Sequence, residues 1–372
     1  MNICIVAGAR PNFVKVAPLL RAADNAAKSG SSHINARLVY AGREDDPTIE
    51  PSLFDDLQMR RPDAWLNADC ENLNELTAQV MQAFETYLNA WPTDVVIVVD
   101  DLASTMAAAI VAKKKGLVLA HLVAGTRSFD ISMPKEINRL VIDGLSDLLF
   151  TAGISGTSSA TREGAGQEKI YLVGNILMDT LRFARPHLQR PAIFDSLHLS
   201  AGGYILFTLN RHALIANTAN LTRMVQAIAA HCGGMPVVAP LRGAAATAVK
   251  QIKEQLGSEA EAIHVVEPLP YLEFGYLASH AKGVVTDSGN VAEEATFNGV
   301  PCITLNSYTE HIETVSTGTN MLVGEDADVL AARMDDIAAG QWKKSALPDR
   351  WDGRSAERIL QTIMQFAAGK DQ

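Results

Sequence analysis

At 372 residues, 48% of them apolar and 20% charged, the chain has the make-up of a folded globular protein about twice the length of an average domain. A formal net charge of −10, with no basic stripe among its Lys and Arg residues, argues against a nucleic-acid partner. The longest apolar run, around 95–99, is far too short for a bilayer, and Cys4, Cys70, Cys232 and Cys302 lack metal-ligand spacing and read as reduced structural thiols. A cytoplasmic protein is therefore expected, with no membrane contact, metal or cofactor.

Residues 1–7 open the chain as a β-branched run without a basic leader, so no export signal is expected. The loop Gly8-Ala9-Arg10-Pro11-Asn12 follows, and apolar periodicity over 13–27 predicts a helix. A strand at 36–40, a polar loop at 41–51 and a helix at 72–88 come next. The Val/Ile run at 94–99, which ends at Asp100-Asp101, is what a parallel strand buried on both faces requires. Helix 103–115, strand 117–123, helix 135–145 and strand 148–151 continue the alternation, which predicts a doubly wound, Rossmann-like α/β sheet. A strand at 169–173 and a helix at 176–184 lead into the Pro-containing stretch 185–191, where the pattern restarts. Strands at 204–208, 236–239, 263–266, 283–286 and 301–305, separated by helical segments, predict a second parallel sheet. The expected domains are 1–174 and 175–350, with the boundary inside 174–191 and a last helix, 354–368, packing back on the first.

Two such domains leave a cleft between the carboxyl ends of their sheets, where open α/β sheets bind ligands. Seven predicted strand-end loops carry polar residues toward it: 8–12, 100–101, 124–135, 209–212, 268–274, 287–294 and 306–313. The most telling reads Val284-Val285-Thr286-Asp287-Ser288-Gly289-Asn290-Val291-Ala292-Glu293-Glu294-Ala295, a buried strand, a tight turn and a helix start. The first-turn N–H groups of Gly289, Asn290 and Val291 carry partial positive charge and suit a phosphate. Glu294, one turn further, suits a ribose diol, so the pair reads as a nucleotide site. The alternative is that Asp287 or Ser288 merely caps the helix. Arg10 offers a guanidinium fork for phosphate, or is a solvated loop arginine. The stretch 268–274, ending at Phe274, offers backbone groups and an aromatic ring for a flat base, or is an apolar helix start.

Together these motifs resemble the non-hydrolysing UDP-N-acetylglucosamine 2-epimerase family over nearly the whole chain. The resemblance rests on Gly8-Ala9-Arg10-Pro11 with Lys15 and Ala17-Pro18-Leu19, on residues 134–139, on Gly174-Asn175 with Asp179, and above all on Thr286-Asp287-Ser288-Gly289 with Glu293-Glu294-Ala295. It implies a glycosyltransferase-B-like fold whose last helix returns to the first domain, a UDP-sugar partner, and a role in cell-envelope polysaccharide synthesis. A homodimer is also expected. Carried over by position, Ser288 and Gly289 take the phosphates, Glu294 the ribose and Phe274 the uracil, while Arg10 reaches the phosphates from the first domain. Lys15, Lys135, Asn210, Arg211 and Asn290 are further candidate substrate contacts.

The family's reaction removes the C2 proton of the sugar, expels UDP to leave a glycal, and adds UDP back after protonation on the other face, which needs acid and base groups at the sugar. The resemblance implies an aspartate after strand 95–99, a glutamate in H-x-E-A-G, a second in P-E-E-x-N-R and a histidine in G-H-R. Of these only the first is kept, as Asp101. The others are Val123 in His121-Leu122-Val123-Ala124-Gly125, Lys135 in Pro134-Lys135-Glu136-Ile137-Asn138-Arg139, and Asn210 in Leu209-Asn210-Arg211-His212. The loop that carries the family's activating second site departs as well, reading Tyr40-Ala41-Gly42-Arg43-Glu44. Glu136 replaces a lost carboxylate only if the helix start turns by about 100°. His121 and His212 have structural and catalytic readings, and Asp100 or Asp101 a capping alternative. Three functions follow: an epimerase with altered acid/base groups, a UDP-sugar transferase or hydrolase on the same scaffold, or a non-catalytic UDP-sugar-binding protein.

Overall fold

The structure is a computed structural model and describes residues 1–28 and 34–370. It divides into two compact units, Met1–Ala184 with Asp349–Gln372, and Arg185–Pro348. The helix at 177–184 is thus counted with the first unit.

In the first unit the order is β1 (Asn2–Ala7), α1 (Arg10–Lys28), β2 (Asn35–Tyr40), α2 (Leu53–Asp56), β3 (Ala64–Trp65), α3 (Leu73–Ala90) and β4 (Val95–Val99). It continues through α4 (Ala103–Lys114), β5 (Val118–Ala124), α5 (Pro134–Leu145), β6 (Leu148–Thr151), α6 (Ile154–Arg162), β7 (Ile170–Leu172) and α7 (Leu177–Ala184). Among the described residues these strands form one seven-stranded sheet in the order β3-β2-β1-β4-β5-β6-β7, every pair parallel. All five residues of β4 are buried, as a strand covered on both faces must be. α1 starts three residues before the apolar periodicity does. Pro11 is pre-set for a first turn, and the Asn12 side chain accepts the Gly8 and Ala9 N–H groups at 2.8 and 3.2 Å.

The second unit runs α8 (Ala192–Ser196), β8 (Ile205–Phe207), α9 (His212–Ala216), α10 (Thr218–Ala230), β9 (Val237–Pro240), α11 (Gly243–Leu256) and β10 (Ile263–Val266). It goes on through α12 (Tyr271–His280), β11 (Gly283–Thr286), α13 (Gly289–Asn298), β12 (Cys302–Thr304), α14 (Ile312–Ser316), β13 (Asn320–Leu322) and α15 (Ala327–Ala338). Its sheet is again parallel, in the order β10-β9-β8-β11-β12-β13. Two clusters of buried side chains cover its faces, one holding Phe207, Val285 and Ile303, the other Tyr204, Val284 and Cys302. Alternate residues of one strand thus serve opposite layers.

The chain then rejoins the first unit through α16 (Ser355–Lys370), which packs on α1 and α7. Asp179 of α7 caps it from outside, accepting the Ser355 and Ala356 N–H groups at 3.0 and 2.8 Å. Among the described residues no helix is long and apolar enough to cross a membrane. In each sheet the strand order reverses at one place, between β1 and β4 in the first and between β8 and β11 in the second. Loops leaving the carboxyl ends of neighbouring strands diverge there, which opens a crevice for a ligand.

Candidate functional site

At the reversal point of the second sheet, Thr208 and Thr286 hydroxyls meet at 2.7 Å and the Ser288 N–H donates to the Thr286 hydroxyl at 3.0 Å. The strand ends are thereby fixed to one another. Asp287 does not cap α13: its Oδ2 accepts the Asn210 and Arg211 N–H groups at 2.8 and 2.6 Å and so holds the loop after β8. Ser288 stands at the N-cap with extended backbone and makes no side-chain cap bond. The first-turn donors of α13 are left for a ligand, with the positive end of the helix behind them.

Gly289 opens the helix. A Cβ on it would lie 3.0 Å from Cδ2 and 3.3 Å from Nε2 of His311, so the imidazole rests against the helix start. His311 Nδ1 is 2.9 Å from Oε1 of Glu293, a buried carboxylate of α13 just past its first turn. Glu294 follows, also buried. Asn290 is half-buried, and Asn210 and His212 are exposed. Arg211 donates to Asn306 Oδ1 at 2.6 Å, which ties the loops after β8 and β12. Phe274 on α12 is half-buried and packs against the cluster of Tyr204, Val284 and Ala292.

At the reversal point of the first sheet the polar residues form four ion pairs, three of them linked through Asp101 and Arg139. Asp100 has a left-handed backbone, φ +58°, and its carboxylate receives Lys15 Nζ and Asn12 Nδ2, each at 2.7 Å. Asp101 receives Arg139 through Nη2 at 2.5 Å and Nε at 2.9 Å, with Lys135 Nζ at 3.5 Å. Neither aspartate side chain is turned to cap α4. Glu136 is buried and accepts four hydrogen bonds: from Ser128 N–H, Ser128 hydroxyl and Arg139 Nη1, each at 2.9 Å, and from Phe129 N–H at 3.0 Å. Burial opposes the charge on both groups. For Asp101 the ammonium of Lys135 and the guanidinium of Arg139 outweigh it, and for Glu136 the Ser128 N–H and Arg139 do, so both carboxyls stay below their usual range. A carboxylate with its lone pairs so occupied is a poor proton acceptor.

His121 lies in a separate buried network. Its Nδ1 is 2.5 Å from Asp143 Oδ1 and its Nε2 is 2.9 Å from the Asp100 carbonyl. Asp143 Oδ2 accepts Gly125 N–H at 3.0 Å and pairs with Arg127 at 2.7 Å, and Arg127 also pairs with Glu163. This network clamps the turn that contains Val123. There β5 loses register with β6 between Leu122 and Ala124, and Val123 sits at φ +72°, a conformation that costs a β-branched residue on the order of 1–3 kcal/mol. Gly125, at φ +74°, has no room for a side chain, since a Cβ would lie 2.1 Å from the Gly156 carbonyl oxygen. Arg10 at the start of α1 forms a two-point pair with Glu50, at 2.8 and 3.0 Å.

Asp101 and Glu136 therefore share one arginine, and Lys135 joins them from the solvent side with a half-exposed side chain. His121 belongs to the adjoining Asp143 network, and His212 stands on the second unit with Asn210 and Arg211. Ser288, Gly289, Asn290 and Glu294 lie on one helix start. Sequence reasoning did not single out His311, Asp143 or Arg127. The only signal for His311 was its place in the polar loop after β12, and Asp143 sits in the last turn of α5 among apolar residues that give no hint of it.

The protein-family model described as UDP-N-acetylglucosamine 2-epimerase matches residues 26–364. A Methanocaldococcus jannaschii protein named UDP-N-acetylglucosamine 2-epimerase is 31% identical over 98% of this chain and 99% of its own. A Pseudomonas aeruginosa protein named UDP-2,3-diacetamido-2,3-dideoxy-D-glucuronate 2-epimerase is 31% identical over 89% of this chain and 90% of its own. The crystal structure of the M. jannaschii protein in complex with UDP-GlcNAc and UDP superposes with a TM-score of 0.84 at 29% identity, covering 98% of this chain and 100% of that one. A lipopolysaccharide outer core galactosyltransferase, TM-score 0.57 at 12% identity, shares the glycosyltransferase-B-like fold alone.

Proposed function

The chain belongs to the UDP-N-acetylglucosamine 2-epimerase family, and from that premise we propose that it binds a UDP-N-acetylhexosamine or a close relative in the cytoplasm, with weak or altered chemistry at C2 of the sugar. The nucleotide is assigned to the start of α13: phosphates at Ser288, Gly289 and Asn290, ribose at Glu294, uracil beside Phe274. The M. jannaschii relative, whose structure holds UDP-GlcNAc and UDP, supports the ligand class.

The observation that carries the altered chemistry is the state of the sugar-side carboxylates. Asp101 is held by Arg139 and Lys135, Glu136 is saturated by four donors, and Val123, in a left-handed turn, stands at the H-x-E-A-G position without a carboxylate. Losing a positioned acid or base slows a reaction by about 10² to 10⁴, so the loss of three leaves little C2 exchange. The test is incubation with UDP-GlcNAc in D2O beside the M. jannaschii relative. Bound UDP-GlcNAc with C2 deuterium at least about 10²-fold slower than the relative's is expected. Exchange at the relative's rate overturns the reading, and UDP release without exchange identifies a transferase or hydrolase.

One observation favours a second reading, a substrate with an acidic group. Lys135, half exposed and 3.5 Å from Asp101, puts an ammonium where the resemblance implies a carboxylate, and the P. aeruginosa relative is named for a uronate. Tighter binding of a UDP-uronate than of UDP-GlcNAc, reversed by Lys135→Gln, is the expected result. A homodimer is part of the proposal and is checked by sedimentation.

A further inference from the structure

We propose that Asp100 is a specificity residue whose carboxylate accepts hydrogen bonds from neighbouring hydroxyls of the sugar, an assignment that rests on the UDP-sugar reading above. Asp100 follows β4 at the reversal point of the first sheet, where open α/β sheets take their ligands. Its backbone is left-handed, φ +58°, a conformation that glycine adopts freely and other residues keep only where their surroundings impose it. Those surroundings are well defined. Its N–H donates to the Leu122 carbonyl at 3.2 Å, its own carbonyl lies 2.9 Å from Nε2 of His121, and its carboxylate is held from α1. A glycine would serve the turn alone without strain, so the side chain is what the strain retains.

Two buried donors fix the orientation of that carboxylate. Lys15 gives its ammonium to Oδ1 and Asn12 its side-chain amide to Oδ2, each at 2.7 Å. An ionised carboxylate offers about four acceptor positions, so one donor on each oxygen leaves capacity on both. Glu136, by contrast, is filled by four donors, and its side chain is 3% exposed where that of Asp100 is 18% exposed. Two acceptor oxygens on one rigidly held carboxylate match two hydroxyls on adjacent ring carbons, as the 3- and 4-hydroxyls of an N-acetylhexosamine are. The same negative charge turns away a phosphate or a carboxylate at this spot.

Titration calorimetry on the full chain with UDP, UDP-GlcNAc and the 3-deoxy and 4-deoxy analogues of UDP-GlcNAc tests the assignment. Two variants are compared with the parent: Asp100→Gly, which suits the left-handed turn, and Asp100→Asn, which keeps the shape of the side chain. Both should bind UDP-GlcNAc roughly tenfold more weakly than the parent, with UDP affinity within about twofold of it. The parent should bind at least one deoxy analogue more weakly than UDP-GlcNAc by a similar factor, and that difference should vanish in Asp100→Gly. Unchanged UDP-GlcNAc affinity in both variants, an equal loss for UDP and UDP-GlcNAc, or deoxy discrimination that survives in Asp100→Gly overturns the assignment while the UDP site stands. A parent that binds neither UDP nor UDP-GlcNAc overturns the UDP-sugar reading and this assignment with it.

Discussion

Glu136→Gln separates a structural carboxylate from a catalytic one, because it keeps the side chain's shape and removes its charge. Glutamine can leave its oxygen where Oε2 accepts from Ser128 and Arg139, but its NH2 then faces the Phe129 N–H that Oε1 accepts at 3.0 Å. One hydrogen bond worth about 1 kcal/mol is lost, buried donors are left facing one another at about 1–2 kcal/mol, and the Arg139 bond loses its charge assistance, about 1 kcal/mol more. The sum is about 3–4 kcal/mol of stability in the first unit. For a unit of roughly 200 residues that lowers its melting temperature by about 6–16 °C. Calorimetry with near-UV circular dichroism reads this shift, and titration calorimetry should show UDP affinity within about twofold of the parent, since α13 lies in the second unit. An unchanged melting temperature together with lost turnover of a UDP-sugar refutes the reasoning and makes Glu136 a titrating group.

Glu294→Ala should weaken UDP by about 1.5–3 kcal/mol in titration calorimetry, as a charged hydrogen-bonding group is lost; equal affinity removes Glu294 from the site. Gly125→Ala should destabilise by at least about 2 kcal/mol in thermal unfolding, because the added methyl meets the Gly156 carbonyl and the φ of +74° disfavours it further. Asp101, Glu136 and Asp143 are all held below their usual range, with burial opposing the charge and cationic or N–H partners overcoming it. A depressed carboxyl contributes stability above its unfolded value, near pH 4, and loses it as pH falls through the folded value. The first unit should therefore hold from about pH 5 to 8 and unfold below about pH 4, as followed by circular dichroism. A transition centred above pH 5 contradicts the assignment.

The alternation of strand and helix was legible because both sheets are parallel and covered on both faces, which makes β4 an unbroken Val/Ile run. β3, two residues long, is too short to set a period and was missed, as was β13. α6 reads I-S-G-T-S-S-A-T-R, with no apolar stripe, and exists where bare Gly156 lets it close onto Gly125. The candidate loops were legible as glycine and polar residues at strand ends. Their charge partners were not: Lys15 meets Asp100 across 85 positions, Arg139 meets Asp101 across 38 and Arg127 meets Glu163 across 36. Glu136 looked like a spare carboxylate from its place beside Lys135, yet four donors surround it, three of them from Ser128 and Phe129, in a loop that only the fold brings back.

The first unit is written in two stretches of chain, with the whole of the second between them, and the order of synthesis follows from that. Translation at roughly 5–20 residues per second takes roughly 10–30 s to pass from residue 185 to residue 348. Through that interval α1 and α7 exist without the helix that packs on them, and the Asp179 carboxylate waits without the two N–H groups it caps. The unit made first is thus the last to be finished, and a chain halted near Pro348 carries a complete second unit beside an open first one. Such a product exposes the apolar ground meant for Ile359, Leu360 and Ile363, all buried in the finished protein, and presents proteases and chaperones with a surface that the full-length chain never shows.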